Sequence, residues 1–248
     1  MNRIMLGLTA GLMAVSVAGT AGAADSVDDI IAQNIETRGG YDNIKAIESM
    51  RVEGTMTMGP MEAPFTILFK RPDQMRMEFS IQGMTGIQAY DGDTGWSVMP
   101  FMGKTEPEKM AEDELKNIKD QADMDGVLVD YKDKGHTVEL VGTEDIEGTE
   151  AYHLKVTKAN GDTVDMYLDT EYFLEFKQNA VTQRQGTELK VETTLGDYKE
   201  VGDIVMAHSL STVMEGMPGA QSLTIEKVEL NVDLEDSNFS MPQATTAQ

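Results

Sequence analysis

The sequence contains no cysteine. Without thiols, the chain has no disulfide bond, no thiolate nucleophile and no thiolate-bound metal. Lipid attachment of the bacterial lipoprotein kind is also excluded, because it requires a cysteine at the cleavage site. An exported protein of 248 residues can build a hydrophobic core without disulfides, so the absence does not argue against export.

Basic residues are scarce as well. The chain has 20 lysines and arginines against 43 aspartates and glutamates, which gives a net charge of −23. Nucleic acids and anionic membrane surfaces both require a basic surface on their protein partners, so neither is an expected partner. The net negative charge has two interpretations. It would keep the protein soluble in a salty environment, or it would attract a basic partner protein.

Long apolar runs are absent apart from one at the N-terminus. Arg3 is followed by apolar residues 4–17 and then by Ala21-Gly22-Ala23. The run is shorter than the roughly 20 residues that a bilayer-spanning helix needs, and the small residues after it are typical of a signal-peptide cleavage site. We therefore expect residues 1–23 to be a cleaved signal peptide, and residues 24–248 to form one domain in the periplasm.

Motifs for catalysis and for cofactor binding are also missing. The three histidines, His136, His153 and His208, are far apart in the sequence and belong to no HExxH motif. No G-x-S-x-G nucleophile motif, P-loop or dinucleotide-binding glycine motif is present. We therefore expect no enzymatic activity, no cofactor and no histidine-bound metal.

Methionine, in contrast, is abundant, with 19 residues in the chain. Many of them lie in residues 50–84, which read MRVEGTMTMGPMEAPFTILFKRPDQMRMEFSIQGM. Thioethers are good ligands for Cu(I), so Met56, Met58 and Met61 are candidates for a copper site. However, Met56 and Met58 continue the two-residue period of Val52, which favours apolar positions in a strand. Methionine side chains are flexible and suit an apolar surface of changing shape.

The hydrophobic pattern predicts an α+β protein. Ser26 and Asp29 form a capping box that begins an N-terminal helix. A second helix is predicted over residues 106–121, with a narrow apolar stripe that contains Leu115 and Ile118. The remaining segments alternate between apolar and polar residues, which indicates about ten antiparallel strands with one apolar face; residues 127–131 are among them. Such a sheet must curl, and the mid-chain helix is the natural lid over its hollow face.

Residues 31–232 resemble the outer-membrane lipoprotein-sorting proteins, which are periplasmic lipoprotein carriers of the LolA-like superfamily. The resemblance is concentrated in the paired strands at the end and in three phrases: RGGYDNIKAIESMRVEGTM, YDGDTGWSVMPFMG and ELKNIKDQADMDGVLVDYKDKGHTVELVGTEDIEGTEAYHLKVTKANGDTVDMYLDTEYFL. It implies an unclosed, half β-barrel of antiparallel strands with an apolar cavity beneath lidding helices. It also implies a carrier that receives lipid or lipoprotein acyl chains from an inner-membrane transporter and passes them to an outer-membrane acceptor, without a catalytic group.

We therefore expect a periplasmic carrier of acyl chains. The predicted cavity lining follows from strand alternation and consists of Met56, Met58, Phe65, Ile67, Phe69, Met75, Met77, Phe79, Ile81, Trp96, Met99 and Phe101, with Leu115 and Ile118 on the underside of the lid. The best-studied carriers of this superfamily use an arginine to stabilise the closed lid, and no equivalent is assigned here because Arg51 and Arg76 fall on the polar face of the predicted strands. Two alternative functions are a methionine-based Cu(I)-binding protein and an envelope lipid sensor that transports nothing.

Overall fold

The computed structural model describes residues 26–184, 187–216 and 219–242 of the chain. The predicted signal peptide, residues 1–23, lies outside these ranges. Three α-helices are present in the described part: α1 (Val27–Thr37), α2 (Tyr41–Lys45) and α3 (Glu112–Ala122). The strands are β1 (Ser49–Met58), β2 (Met61–Lys70), β3 (Gln74–Ile81), β4 (Met84–Tyr90), β5 (Gly95–Met99), β6 (Lys104–Lys109), β7 (Thr137–Ile146), β8 (Thr149–Thr157), β9 (Thr163–Asp169), β10 (Glu175–Arg184), β11 (Thr187–Val201), β12 (Ile204–Met214) and β13 (Ala220–Leu230).

Helix α1 begins where the capping residues predict. The Ser26 hydroxyl accepts a hydrogen bond from the Asp29 backbone amide, and the Asp29 carboxylate accepts one from the Ser26 amide, both at 3.2 Å. Ile30 and Ile31 bury one side of the helix. The helix stops before Gly39, where a Cβ atom would lie 2.2 Å from the Asp203 carbonyl oxygen, so only glycine allows this close approach.

All thirteen strands in the described residues form one antiparallel sheet. Its order is β6-β5-β4-β3-β2-β1-β13-β12-β11-β10-β9-β8-β7. The chain therefore builds one arm outward from β1 to β6, crosses to the far edge, and builds the second arm inward from β7 to β13. Strand β13 then pairs with β1 and joins the two arms. The edge strands β6 and β7 do not pair with each other, so the sheet is unclosed, as predicted.

The crossing segment, which consists of α3 and residues 123–136, lies against the inner face of both arms. Helix α3 contacts β3, β4 and β5 in the first arm. On the other side, Lys116 pairs with Asp162 and Lys158 pairs with Asp120, each at 2.7 Å, and these ion pairs connect the helix to the β8–β9 turn. One short helix reaches both arms because the sheet is curled around it.

Two local predictions are wrong. Residues 104–109 form the edge strand β6 rather than the start of the helix, and Pro107 is tolerated there because an edge strand leaves one row of amides unpaired. Residues 127–131, predicted as a strand, have no regular structure. Leu128 and Val129 are nevertheless buried in succession, which explains the apolar pattern that suggested a strand.

Candidate functional site

The register of the first arm places most of the predicted lining on one inner face. Residues directly opposite each other in neighbouring strands point to the same side of a sheet. Phe65 lies opposite Phe79, and Ile67 lies opposite Met77. The pairs that share this face are Met56–Leu223, Phe69–Met75, Phe79–Gly86 and Ile81–Met84. Phe101 joins the face from beyond β5, with its ring 5.7 Å from that of Phe79.

Burial along this inner face is graded. Met56, Phe65 and Met75 are at most 4% exposed and belong to the core. Their neighbours on the same face are only partly buried: Met58, Ile67, Phe69, Met77, Phe79, Ile81, Phe101, Leu210 and Leu223. We call these nine residues the inner strip. The chain itself leaves this apolar strip partly uncovered.

Trp96 lies on the opposite, outer face, so its predicted place in the lining is wrong. It is fully buried, and its indole nitrogen donates a hydrogen bond to the Phe239 carbonyl at 2.7 Å. The Arg76 guanidinium lies 5.5 Å from the indole ring centre. Met99, three residues later in the same strand, falls on the inner face and is 9% exposed.

Helix α3 covers part of the inner face. Ile118 and Ala122 are buried against Met75 and Tyr90, whereas Leu115 remains half-buried. Gly95 faces the helix, and a Cβ atom at this position would lie 2.9 Å from Leu115 Cδ1. The two predicted lid residues, Leu115 and Ile118, therefore lie on the underside of α3, above the sheet.

Asp125 fastens the segment after α3. Its carboxylate receives hydrogen bonds from Arg71 at 2.6 and 3.0 Å and from Lys45 at 2.8 Å. Arg71 also donates to the Ile44 and Ile47 carbonyls. Burial alone would raise the pKa of Asp125, but the hydrogen bonds from Arg71 and Lys45 outweigh it and lower the pKa to about 2. We call Asp125, Arg71 and Lys45 the latch.

The sequence pattern does not predict the latch, because Arg71 lies in a turn rather than in a strand. Arg71-Pro72 joins β2 to β3, and the alternation that assigns strand faces gives no information there. Arg51 and Arg76 lie on the outer face, where they pair with Glu53 and Glu78.

A cavity of about 400 Å³ lies beside the second arm, between α1, the segment after α3 and the inner faces of β9 to β12. Its lining includes Asn34, Arg38, Glu175, Gln178 and Tyr198. None of the predicted lining residues borders it. Unlike the inner strip, this cavity contains polar groups, and the apolar alternation used to predict the lining gives no signal for such a place.

The ring of His153 and the sulfur of Met56 are engaged in structural contacts. His153 lies between Glu144 and Asp165, at 2.6 and 2.8 Å, and these carboxylates outweigh burial and raise its pKa. Among the described residues, no group of three or more histidine, aspartate or glutamate side chains has an arrangement that could hold a metal ion. The Met56 sulfur accepts a hydrogen bond from the Gln221 amide at 2.9 Å.

The described helices are all too short or too polar to cross a bilayer.

Neither a known protein family nor a curated protein matches this sequence. Solved structures do match. A DUF1329 family protein from Desulfovibrio piger is 12% identical, covers 87% of this chain and 98% of its own, and superimposes with a TM-score of 0.59. A LolA superfamily protein from Nitrosomonas europaea is 14% identical, covers 88% and 98%, and has the same TM-score of 0.59.

An outer membrane lipoprotein-sorting protein domain from Vibrio parahaemolyticus is 13% identical, covers 84% of this chain and 94% of its own, and has a TM-score of 0.57. At this level of identity the likeness concerns the fold alone. The chain adopts the fold of the LolA superfamily, as its sequence resemblance predicted.

Proposed function

We propose that this protein is a periplasmic carrier that shields the acyl chains of a lipid or lipoprotein on its inner strip during transfer towards the outer membrane. The observation that carries the proposal is the partly uncovered row of methionine, phenylalanine and isoleucine side chains on the concave side of the sheet. If stability were the only requirement, covering this row with the protein's own residues would make the folded state more stable.

The free energies involved suit a carrier. Transfer of a CH₂ group out of water is worth about 0.8 kcal/mol, so a sixteen-carbon chain carries on the order of 12 kcal/mol against free passage through water. A concave apolar surface offsets most of this cost. Flexible methionine side chains, such as Met58 and Met77, adapt to chains of different shape with little strain.

Release of the cargo requires the cover to move. Helix α3 buries Ile118 and Ala122 but leaves most of its surface in solvent, so few apolar contacts hold it down. The remaining attachments of the crossing segment are polar: the latch, and the two ion pairs between α3 and the β8–β9 turn. Opening of such a lightly attached element belongs to the timescales of functional loop motion.

The exposed first turn of α3 is acidic and suits docking. Glu112, Asp113 and Glu114 are all exposed. They would meet a basic patch on an inner-membrane donor or an outer-membrane acceptor, because complementary charge steers encounter and fixes orientation. Carriage of this kind uses no catalytic group and no cofactor.

Copper binding is the weaker alternative. Met56 is 4% exposed, and its sulfur already accepts the Gln221 amide hydrogen bond, so it is placed as a core residue rather than as an open ligand. The inner strip gives the lipid-sensor alternative no distinct support, since a sensor and a carrier would bind the same chain.

The proposal is tested by titration with a fluorescent long-chain fatty acid. Met77→Gln and Phe79→Gln each replace one half-buried apolar side chain of the inner strip by a polar one of similar length. Each variant should weaken binding by about tenfold or more, because the contact of such a side chain with an acyl chain is worth roughly 1.5 kcal/mol.

Ser80→Gln is the matched control, because Ser80 follows Phe79 in β3 and points to the outer face, where it lies beside Thr85. Its affinity should equal that of the unchanged protein. Equal affinity in all four proteins, or no binding at all, would remove the basis for the carrier function.

A further inference from the structure

Two residues that line the cavity beside the second arm each carry a hydrogen-bond acceptor without a partner. Asn34 is only 2% exposed, and its Oδ1 atom has no hydrogen-bond partner. Glu175 is partly accessible as a residue, but its Oε1 atom is buried and also lacks a partner. Buried polar atoms are rarely left unpaired, because each costs about 1–3 kcal/mol. Both residues line one cavity that has room for a ligand.

The orientation of the Asn34 amide is fixed by its other contact. Its Nδ2 atom donates to the Phe173 carbonyl at 2.7 Å, so the oxygen must point the other way. The Tyr198 hydroxyl donates to the Glu175 backbone carbonyl and does not contribute a hydrogen bond to Glu175 Oε1, which has no partner. The cavity thus offers acceptors and requires donors.

The cations at the cavity are already engaged. Arg38 donates to the Asp125 carbonyl at 3.1 Å, and Lys158 pairs with Asp120 at 2.7 Å. In the described residues, Glu175 has no ion pair of its own. Burial raises the pKa of Glu175 to about 8, although Arg38 opposes the rise. An arriving cation would favour the ionised form.

We propose that this cavity binds a primary ammonium group, which donates hydrogen bonds to Asn34 Oδ1 and Glu175 Oε1. An ammonium carries three N–H donors and one positive charge, and these satisfy both acceptors and the buried carboxylate. A quaternary ammonium has no N–H donor and would leave both acceptors unpaired, so the site should discriminate strongly against it.

The ammonium could come from a free amine or from a lipid head group, and the lipid source rests on the proposed carrier function. A smaller void of about 110 Å³ shares Arg38, Val205 and Met206 with the cavity. It is also bordered by Met50, which belongs to the same core cluster that Met58 and Met77 pack against. This arrangement would place an aminolipid head group in the cavity with its acyl chain directed towards the inner strip.

The test measures which of two competing lipids the protein takes up from mixed vesicles. The protein is incubated with vesicles of equal parts dioleoyl phosphatidylethanolamine and dioleoyl phosphatidylcholine, separated from them by gel filtration, and extracted for mass spectrometry. The two lipids differ only in the head-group amine. We expect at least about tenfold enrichment of the ethanolamine lipid on the unchanged protein, and roughly equal uptake by Glu175→Gln.

Glu192→Gln is the matched control, since it removes one carboxylate from the outer face of β11, where Glu192 is exposed and pairs with Lys177 at 2.9 Å. This control should keep the enrichment. A calorimetric titration with free ethanolamine runs in parallel on all three proteins, and binding that depends on Glu175 supports the ammonium site without any lipid.

The outcomes separate the two proposals. Ethanolamine binding without lipid uptake keeps the ammonium site and removes the carrier function. Equal uptake of both lipids without ethanolamine binding keeps the carrier and overturns the ammonium site, and so does enrichment that persists in Glu175→Gln. If Glu175→Gln does not fold, the unchanged protein still tests the ammonium site. Equal uptake of the two lipids together with no ethanolamine binding overturns the site.

Discussion

At the residue scale, the single tryptophan is the clearest departure from the sequence prediction. Trp96 and Met99 are three residues apart in one strand, so they point to opposite faces and cannot both line the hollow. The predicted faces of β2 and β3 follow from several alternating apolar residues each, and the observed register places those residues together. Strand β5 has only five residues, and this is too short for alternation to assign its faces.

Trp96 should report on the C-terminal segment rather than on the ligand. Trp96→Phe removes the hydrogen bond to the Phe239 carbonyl and leaves a gap in a fully buried site, so it should lower the free energy of unfolding by about 2–4 kcal/mol in urea titrations. In the unchanged protein, the emission maximum of Trp96 should stay the same when a fatty acid binds. A ligand-dependent shift would mean that the indole faces the bound chain.

At the element scale, the start of α1 is marked by a complete capping box, whereas the start of α3 has an alanine N-cap and only the Glu114 carboxylate that accepts the Ala111 amide at 3.1 Å. Ser26 and Asp29 form the predicted capping box of α1. Strand β6 is almost wholly exposed, so it has no apolar face that would distinguish it from the first turns of a charged helix. The latch depends on contacts between Asp125 and residues more than fifty positions away, and no local pattern contains them.

The latch should decide how firmly the crossing segment is held. Asp125→Asn leaves Arg71 and Lys45 without their shared carboxylate and should destabilise the protein by about 2 kcal/mol at pH 7, measured by urea unfolding. Amide hydrogen exchange should rise in α3 and residues 123–136. Asp133→Asn, an exposed position in the same segment, makes the same charge change and should alter neither measurement.

The pH dependence of the latch has a definite sign. The folded-state pKa of Asp125 is lowered to about 2 from an ordinary value of 3.8, so its stabilisation is present above pH 3.8 and is lost as the pH falls towards 2. Asp125→Asn should remove this part of the acid sensitivity. If the variant and the unchanged protein lose stability in parallel over this window, the carboxylate does not hold the segment.

At the scale of the whole molecule, the sequence predicts the class of fold and only part of its topology. Consecutive strands joined by short turns pair as neighbours, as the local pattern indicates. The pairing that joins the two arms sets Met50 opposite Leu230, and nothing in the local sequence points to it. The polar cavity, likewise, arises only when α1, the crossing segment and β9 to β12 come together.

The central claim is that an acyl chain occupies the inner strip. The most direct measurement is the carbon-13 methyl spectrum of methionine-labelled protein during titration with a long-chain fatty acid. The account predicts that the signals of Met58 and Met77 shift and saturate at one equivalent, while Met102, which is 68% exposed and outside the strip, stays unchanged. A bound fatty acid that leaves the Met58 and Met77 signals in place would contradict it.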